Sequence, residues 1–126
     1  YAEASEALGF DVARLSLEGP ESDLNRTEFT QPALLTAGVA LWRAWLAQGG
    51  ARPAFLAGHS LGEYTALVAA GALTLADGAR LVRERGRLMQ AAVPEGQGAM
   101  AAVLNAELAL LSEACVAASV DGEAVV

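Results

Sequence analysis

The pentapeptide Gly58-His59-Ser60-Leu61-Gly62 has the G-x-S-x-G spacing of a nucleophile elbow. In such a turn the serine occupies a strained backbone position between a strand and a helix, and the flanking glycines leave room where a Cβ would collide. The hydroxyl is then exposed above the sheet. The backbone N–H of Leu61 and the positive end of the following helix point to where an oxyanion forms on an attacked carbonyl. Five residues of this kind also occur by chance in loops, so the flanks decide. Before the turn runs Pro53-Ala54-Phe55-Leu56-Ala57, apolar and short enough for a buried strand. After it a helical pattern covers residues 61–70 and stops at Gly71.

A serine in an elbow is a weak nucleophile until a base within hydrogen-bond reach takes its proton. The sequence holds one histidine, His59. It directly precedes Ser60, and adjacent side chains diverge around a sharp turn, which makes it a poor base. By themselves these residues supply a nucleophile and half an oxyanion hole.

A second residue stands out on an amphipathic helix expected from Thr74, its cap, with Asp77 at capping-box spacing. At 100° per residue Leu75, Ala79, Val82, Gly86, Met89 and Val93 form one stripe, which Leu81 and Leu88 extend. Arg80, Arg83 and Arg87 fall on the opposite face, expected to be solvated. Arg85 lies inside the apolar arc. An unpaired guanidinium there is costly, so it requires an anionic partner or a wet cavity. One reading is a buried ion pair with Asp or Glu; the other is a bidentate clamp for a substrate carboxylate or phosphate.

The remaining elements must carry these two residues. Residues 1–8 read as a short helix ended by Gly9, and 12–17 as a second. After Gly19-Pro20 and a polar stretch, a long helix is expected to begin with Thr30 or Gln31 near its cap and Pro32 in its first turn, and to reach residue 48. Its apolar residues, Trp42 and Trp45 included, cover more than one face, so it should be largely buried. Beyond the Arg85 helix, Pro94-Glu95-Gly96-Gln97-Gly98 reads as a loop, 99–104 as a strand, 105–119 as a capped helix and 123–126 as the start of another strand. This β-α-β opening suggests a second subdomain, cut off. The abrupt start suggests a chain that begins inside a larger protein.

Composition narrows the function classes. The apolar share is 54% with only 6% aromatic, which implies an Ala/Leu/Val-rich interior of closely packed helices on a small-residue sheet. A net charge of −7 argues against nucleic-acid binding, because phosphate contacts need a clustered positive surface. No apolar stretch reaches the length of a membrane span and no signal peptide opens the chain, so a cytoplasmic location is expected. The single Cys115 shares a helical face with Leu108 and Leu111 and reads as core; no disulfide framework or metal cluster is expected.

Four segments in register resemble one family: Thr30-Gln31-Pro32-Ala33-Leu34-Leu35-Thr36-Ala37, Gly58-His59-Ser60-Leu61-Gly62-Glu63-Tyr64, Arg85-Gly86-Arg87-Leu88-Met89-Gln90 and Gly96-Gln97-Gly98-Ala99-Met100-Ala101-Ala102-Val103. They are similar to the malonyl-CoA:acyl carrier protein transacylases of bacterial fatty acid synthesis and, more distantly, to polyketide synthase acyltransferase domains. The resemblance implies an α/β fold: part of a hydrolase-like large subdomain with a short parallel sheet and packed helices over residues 1–94, and the truncated start of a ferredoxin-like small subdomain over 95–126. It implies that Ser60 carries malonyl as an ester between coenzyme A and the phosphopantetheine thiol of acyl carrier protein, that Leu61 is a backbone oxyanion donor, and that Arg85 pairs with the malonyl carboxylate. Gln31 matches a polar residue of the pocket wall and His59 a neighbour of the nucleophile. Malonyl-CoA and acyl carrier protein are the implied partners, with no cofactor and no metal.

The departures from that pattern are as informative. The family's first strand, with its Gly-Gln-Gly-type loop, is expected before Tyr1, and its catalytic histidine after residue 126. The 126 residues alone are therefore expected to be inactive. Two other readings remain open, a serine thioesterase or hydrolase of the same elbow type and an inert folded fragment. Arg85 separates the first of these from the transferase, because simple hydrolysis needs no carboxylate clamp.

Overall fold

The computed structural model describes residues 1–93, 101–119 and 125. In chain order the helices are α1 (Ala2–Leu8), α2 (Val12–Glu18), α3 (Glu21–Leu24), α4 (Thr27–Ala47), α5 (Leu61–Ala69), α6 (Leu75–Ala92) and α7 (Leu108–Ala118). Local signals account for several of the ends. Gly9 terminates α1 with φ +75°, a left-handed value that costs glycine little. Asp11 caps α2 by accepting the Arg14 N–H at 2.9 Å. Thr74 caps α6 by accepting the Asp77 N–H at 3.0 Å, and its own hydroxyl donates to the Asp77 carboxylate at 2.7 Å.

The core lies where α4 and α6 cross, closed by α1, α2 and α5. Leu35 and Val39 of α4 meet Leu75, Ala79 and Val82 of α6, joined by Ala4, Leu8 and Val12. Phe10, Leu61, Tyr64 and Val68 pack against this cluster. The expected α6 stripe is buried from Leu75 to Gly86, whereas Met89, Val93, Leu81 and Leu88 are 40–56% exposed. At the crossing Gly86 lies against the first turn of α4, and a Cβ built there would sit 2.4 Å from the Thr27 carbonyl oxygen.

The expected sheet is not formed: among the described residues there is no strand. Residues 53–57, read as a buried strand, run without regular structure and are exposed, Phe55 at 91%. Residues 101–104 behave likewise. The physical reason is that a helix satisfies its backbone groups internally, whereas a strand needs a neighbour to pair with, and no described segment supplies one. The short parallel sheet and the ferredoxin-like β-α-β piece are therefore not the architecture observed. The loop read at 94–98, residues 99–100 and most of 123–126 lie outside the described residues, as does the 94/95 boundary.

The start of α4 also differs from expectation. The helix begins at Thr27 with Arg26 as its cap residue, so Pro32 lies inside it and Gln31 is helical. Thr30 does not cap; its hydroxyl faces the Leu24 and Arg26 carbonyls, at 2.5 and 3.0 Å. Proline removes one backbone donor near the helix start, where only the Glu28 carbonyl loses its i+4 partner. The consequence for the site is that Gln31 joins the buried face of Leu35 and Val39, at intervals of four residues.

Three smaller expectations change as well. Trp45 is 55% exposed and donates its indole N–H to the Ala51 carbonyl at 3.0 Å, while Trp42 lies 5.9 Å from the Arg52 guanidinium; neither is core. Cys115 is only half-buried on α7. Arg83 is half-buried and not fully solvated. It donates to the Leu8 carbonyl at 3.0 Å and lies 5.2 Å from the Phe10 ring, tying the C-terminal end of α1 to α6.

Candidate active site

Ser60 stands immediately before α5 with φ 54° and ψ −115°. A non-glycine residue held there stores about 1–3 kcal/mol of backbone strain, which the turn around it must supply. Gly58 shows how tight that turn is: a Cβ there would sit 2.0 Å from the Gly62 carbonyl carbon and oxygen. Gly62 differs, because a Cβ there meets nothing within 4 Å among the described residues. The steric demand expected of both glycines rests on the first.

The strained turn leaves Ser60 and His59 exposed. Leu61 is the first residue of α5, and its N–H has no acceptor among the described residues, whereas the Gly62 N–H donates to the His59 carbonyl at 2.9 Å. The N-terminal end of α5 thus carries an unsatisfied donor beside the serine, as attack on a carbonyl requires.

Arg85 reaches the same place from α6. Its Nη2 donates to Ser60 Oγ at 2.9 Å, and its Nη1 donates to Gln31 Oε1 at 2.6 Å. Gln31 in turn is buried, at 5% exposure, and its Nε2 lies 3.4 Å from Met89 Sδ. Three residues from α4, the elbow and α6, separated by 25 and 54 positions from Arg85, form one chain of hydrogen bonds. Among the described residues no carboxylate lies within 4 Å of Arg85. The buried ion pair that would have made Arg85 structural is absent there.

The neighbouring arginines are engaged otherwise. Arg87 makes a two-pronged contact with Glu84 at 2.7 and 2.8 Å, and Arg80 bonds Asp77 at 3.1 Å. The hydrogen bond from Arg87 holds the Glu84 carboxyl below its ordinary pKa and in return raises that of Arg87. An open groove of about 500 Å³ runs beside Arg85, lined also by Tyr64, Leu81, Glu84, Leu88, Met89 and Ala92. Its walls are mostly apolar, with Arg85 its one cation and Glu84, held by Arg87, its one carboxylate.

His59 forms no hydrogen bond to Ser60 among the described residues; the bond at the hydroxyl comes from Arg85. The resemblance put Ser60 and Arg85 on one malonyl group, but nothing in the sequence indicated the direct hydrogen bond between them. The contact of Gln31 with Arg85 was missed too. Its signal was a polar residue four positions before Leu35 on a buried stripe, legible once the helix start is moved back to Thr27.

The Ser60 hydroxyl, the Leu61 amide and the Arg85 guanidinium thus come together at the N-terminal end of α5. Residues 2–125 match the acyl transferase domain family over nearly the whole chain, and the chain belongs to that family. It is 57% identical over 115 residues to the malonyl CoA-acyl carrier protein transacylase of Salmonella typhimurium (strain LT2), an alignment covering 91% of this chain and 37% of that relative. In structure it is similar to the crystal structure of the malonyl-CoA:acyl carrier protein transacylase of Xanthomonas oryzae pv. oryzae, with a TM-score of 0.87 and 68% identity over 94% of this chain and 38% of the other. It also resembles a malonyl-transacylase solved in complex with a type II polyketide synthase acyl carrier protein, with a TM-score of 0.73 and 57% identity over 76% of this chain and 31% of the other. The chain therefore spans less than two fifths of the length of these relatives. Among the described residues no helix is long and apolar enough to cross a membrane.

Proposed function

We propose that the protein containing this chain transfers malonyl from coenzyme A to the phosphopantetheine thiol of acyl carrier protein, with Ser60 as the nucleophile. Ser60 Oγ attacks the thioester carbonyl, and the oxyanion that forms is met by the Leu61 N–H and the N-terminal end of α5. Collapse breaks the C–S bond, coenzyme A leaves as the thiol with the serine proton, and malonyl stays on Ser60 as an ester. The carrier-protein thiol then attacks that ester, and Ser60 regains its proton. Arg85 binds the malonyl carboxylate throughout, holding the acyl group against the elbow.

The observation that carries this reading is the Arg85 guanidinium hydrogen-bonded to Ser60 Oγ with no carboxylate within 4 Å of it among the described residues. A hydrolase site needs no such cation, whereas a dicarboxylic acyl group does. His59 is read as a neighbour of the nucleophile and not its base, so the 126 residues by themselves should acylate slowly at best and not turn over. Residues 1–94 are read as part of a large subdomain and 95–126 as the opening of a second; the substantial helix contacts all lie within α1–α6.

The test is labelling of the full-length protein with radioactive malonyl-CoA. A hydroxylamine-sensitive label should form on the wild type and vanish in Ser60→Ala. Undiminished labelling of that variant would refute the assignment of the nucleophile. Arg85→Ala should slow malonyl transfer and weaken the preference over acetyl; an unaltered preference would remove the clamp.

A further inference from the structure

We infer that Gln31 sets the acyl preference of the site by holding the Arg85 guanidinium in place without neutralising it, which rests on the reading of Ser60 and Arg85 given above. The amide orientation follows from its two neighbours. A guanidinium only donates and a thioether only accepts, so Oε1 must face Arg85 and Nε2 must face Met89. Both ends of the carboxamide are then satisfied, and the side chain is locked by burial at 5% exposure.

The chemical identity of this partner decides the charge of the site. A glutamate of the same length could hold Arg85 at the same distance, but as an ion pair whose field largely cancels before it reaches the acyl group. With glutamine the cation is positioned by a neutral dipole and keeps its charge. Arg85 spends one hydrogen bond on Gln31 and one on Ser60, and the rest of its planar fork remains for a carboxylate. Malonyl places a carboxylate one methylene from the attacked carbonyl, close enough for one guanidinium to serve both Ser60 and the substrate. An acetyl group offers nothing to that charge. Gln31 is on this account a positioning residue, acting on selectivity through Arg85.

The test compares malonyl-CoA and acetyl-CoA as donors to acyl carrier protein in the full-length wild type and in Gln31→Glu, Gln31→Ala and Arg85→Ala. In Gln31→Glu, kcat/KM for malonyl should fall about tenfold to a hundredfold further than for acetyl, chiefly through KM, as expected for a lost charge-assisted contact. Gln31→Ala, which frees the guanidinium but leaves its charge, should lose less of the preference than Gln31→Glu. A role in packing alone would lower both donors alike and would make alanine the worse variant. The inference is overturned if Gln31→Glu keeps the wild-type malonyl-to-acetyl ratio while Arg85→Ala loses it. If Arg85→Ala also keeps that ratio, the clamp itself is wrong and the inference falls with it. Thermal unfolding of each variant accompanies the kinetics; if neither Gln31 variant folds, the residue serves the core and the inference is likewise overturned.

Discussion

Ser60 is held at φ 54° by a turn whose closeness is concentrated at Gly58, where a Cβ would overlap the Gly62 backbone at 2.0 Å. Backbone atoms cannot swing aside as a flexible side chain can, so Gly58→Ala must open the turn. Gly58→Ala is expected to abolish Ser60 labelling and lower the thermal midpoint by several degrees, whereas Gly62→Ala should change neither by much. Parallel loss in both variants would show that the second glycine is needed for backbone freedom or by groups beyond the described residues. Glu84 gives a pH dependence of known sign. Arg87 depresses its pKa, so the pair stabilises the fold above the ordinary carboxylate range and loses that contribution as pH falls through it. The pair is exposed and screened by salt, so the effect is small. The difference in thermal midpoint between wild type and Glu84→Gln should disappear in acid and shrink at high salt; a difference that grew in acid would reverse the sign.

At the scale of elements, the α4–α6 crossing sets the distance between Gln31 and Arg85. It depends on Gly86, whose missing Cβ lets the Thr27 backbone approach. Two effects oppose each other in Gly86→Ala. Alanine gains about 1 kcal/mol in helix propensity, but a Cβ placed 2.4 Å from a carbonyl oxygen must drive the helices apart, and overpacking of that kind costs about 1–3 kcal/mol or more. The clash should win. Gly86→Ala is expected to lower stability in urea unfolding and, by moving Arg85 off Gln31, to weaken malonyl selectivity. A variant more stable than wild type would mean that the crossing is looser than its backbone geometry indicates.

At the scale of the whole molecule, the exposed apolar side chains are informative. Phe55, Leu104, Leu108, Val116 and Leu41 are all more than 70% exposed, alongside Trp45 and Leu88 at 55% and 56%. Apolar surface of this extent is associated with partner contact or aggregation. The 126-residue chain in isolation is expected to bind the dye ANS and to self-associate in size-exclusion chromatography. A monomer that leaves the dye dark would argue that these side chains find cover within the chain. The exposure of Phe55 and Leu104 goes with the absence of a sheet among the described residues. The segment before the elbow has a strand's composition, but pairing is a property of two segments, and within the described residues it has no second.

What the sequence determined by itself was local. Gly9 and Thr74 mark helix ends because capping acts within a few residues, the α6 stripe marks its buried face as far as Gly86 because a helix repeats every 3.6 residues, and the elbow spacing marks Ser60. Arg85 was conspicuous as a charge within an apolar arc. Tertiary structure alone decided what answers that charge, because its partners lie 25 and 54 residues away and are brought together by the crossing of α4 and α6 and the turn before α5. It decided as well that Pro32 lies inside a helix, which is what places Gln31 beneath the guanidinium, and that residues 53–57 and 101–104 find no strand partner among the described residues, since a ladder depends on a partner that no single stretch of sequence contains.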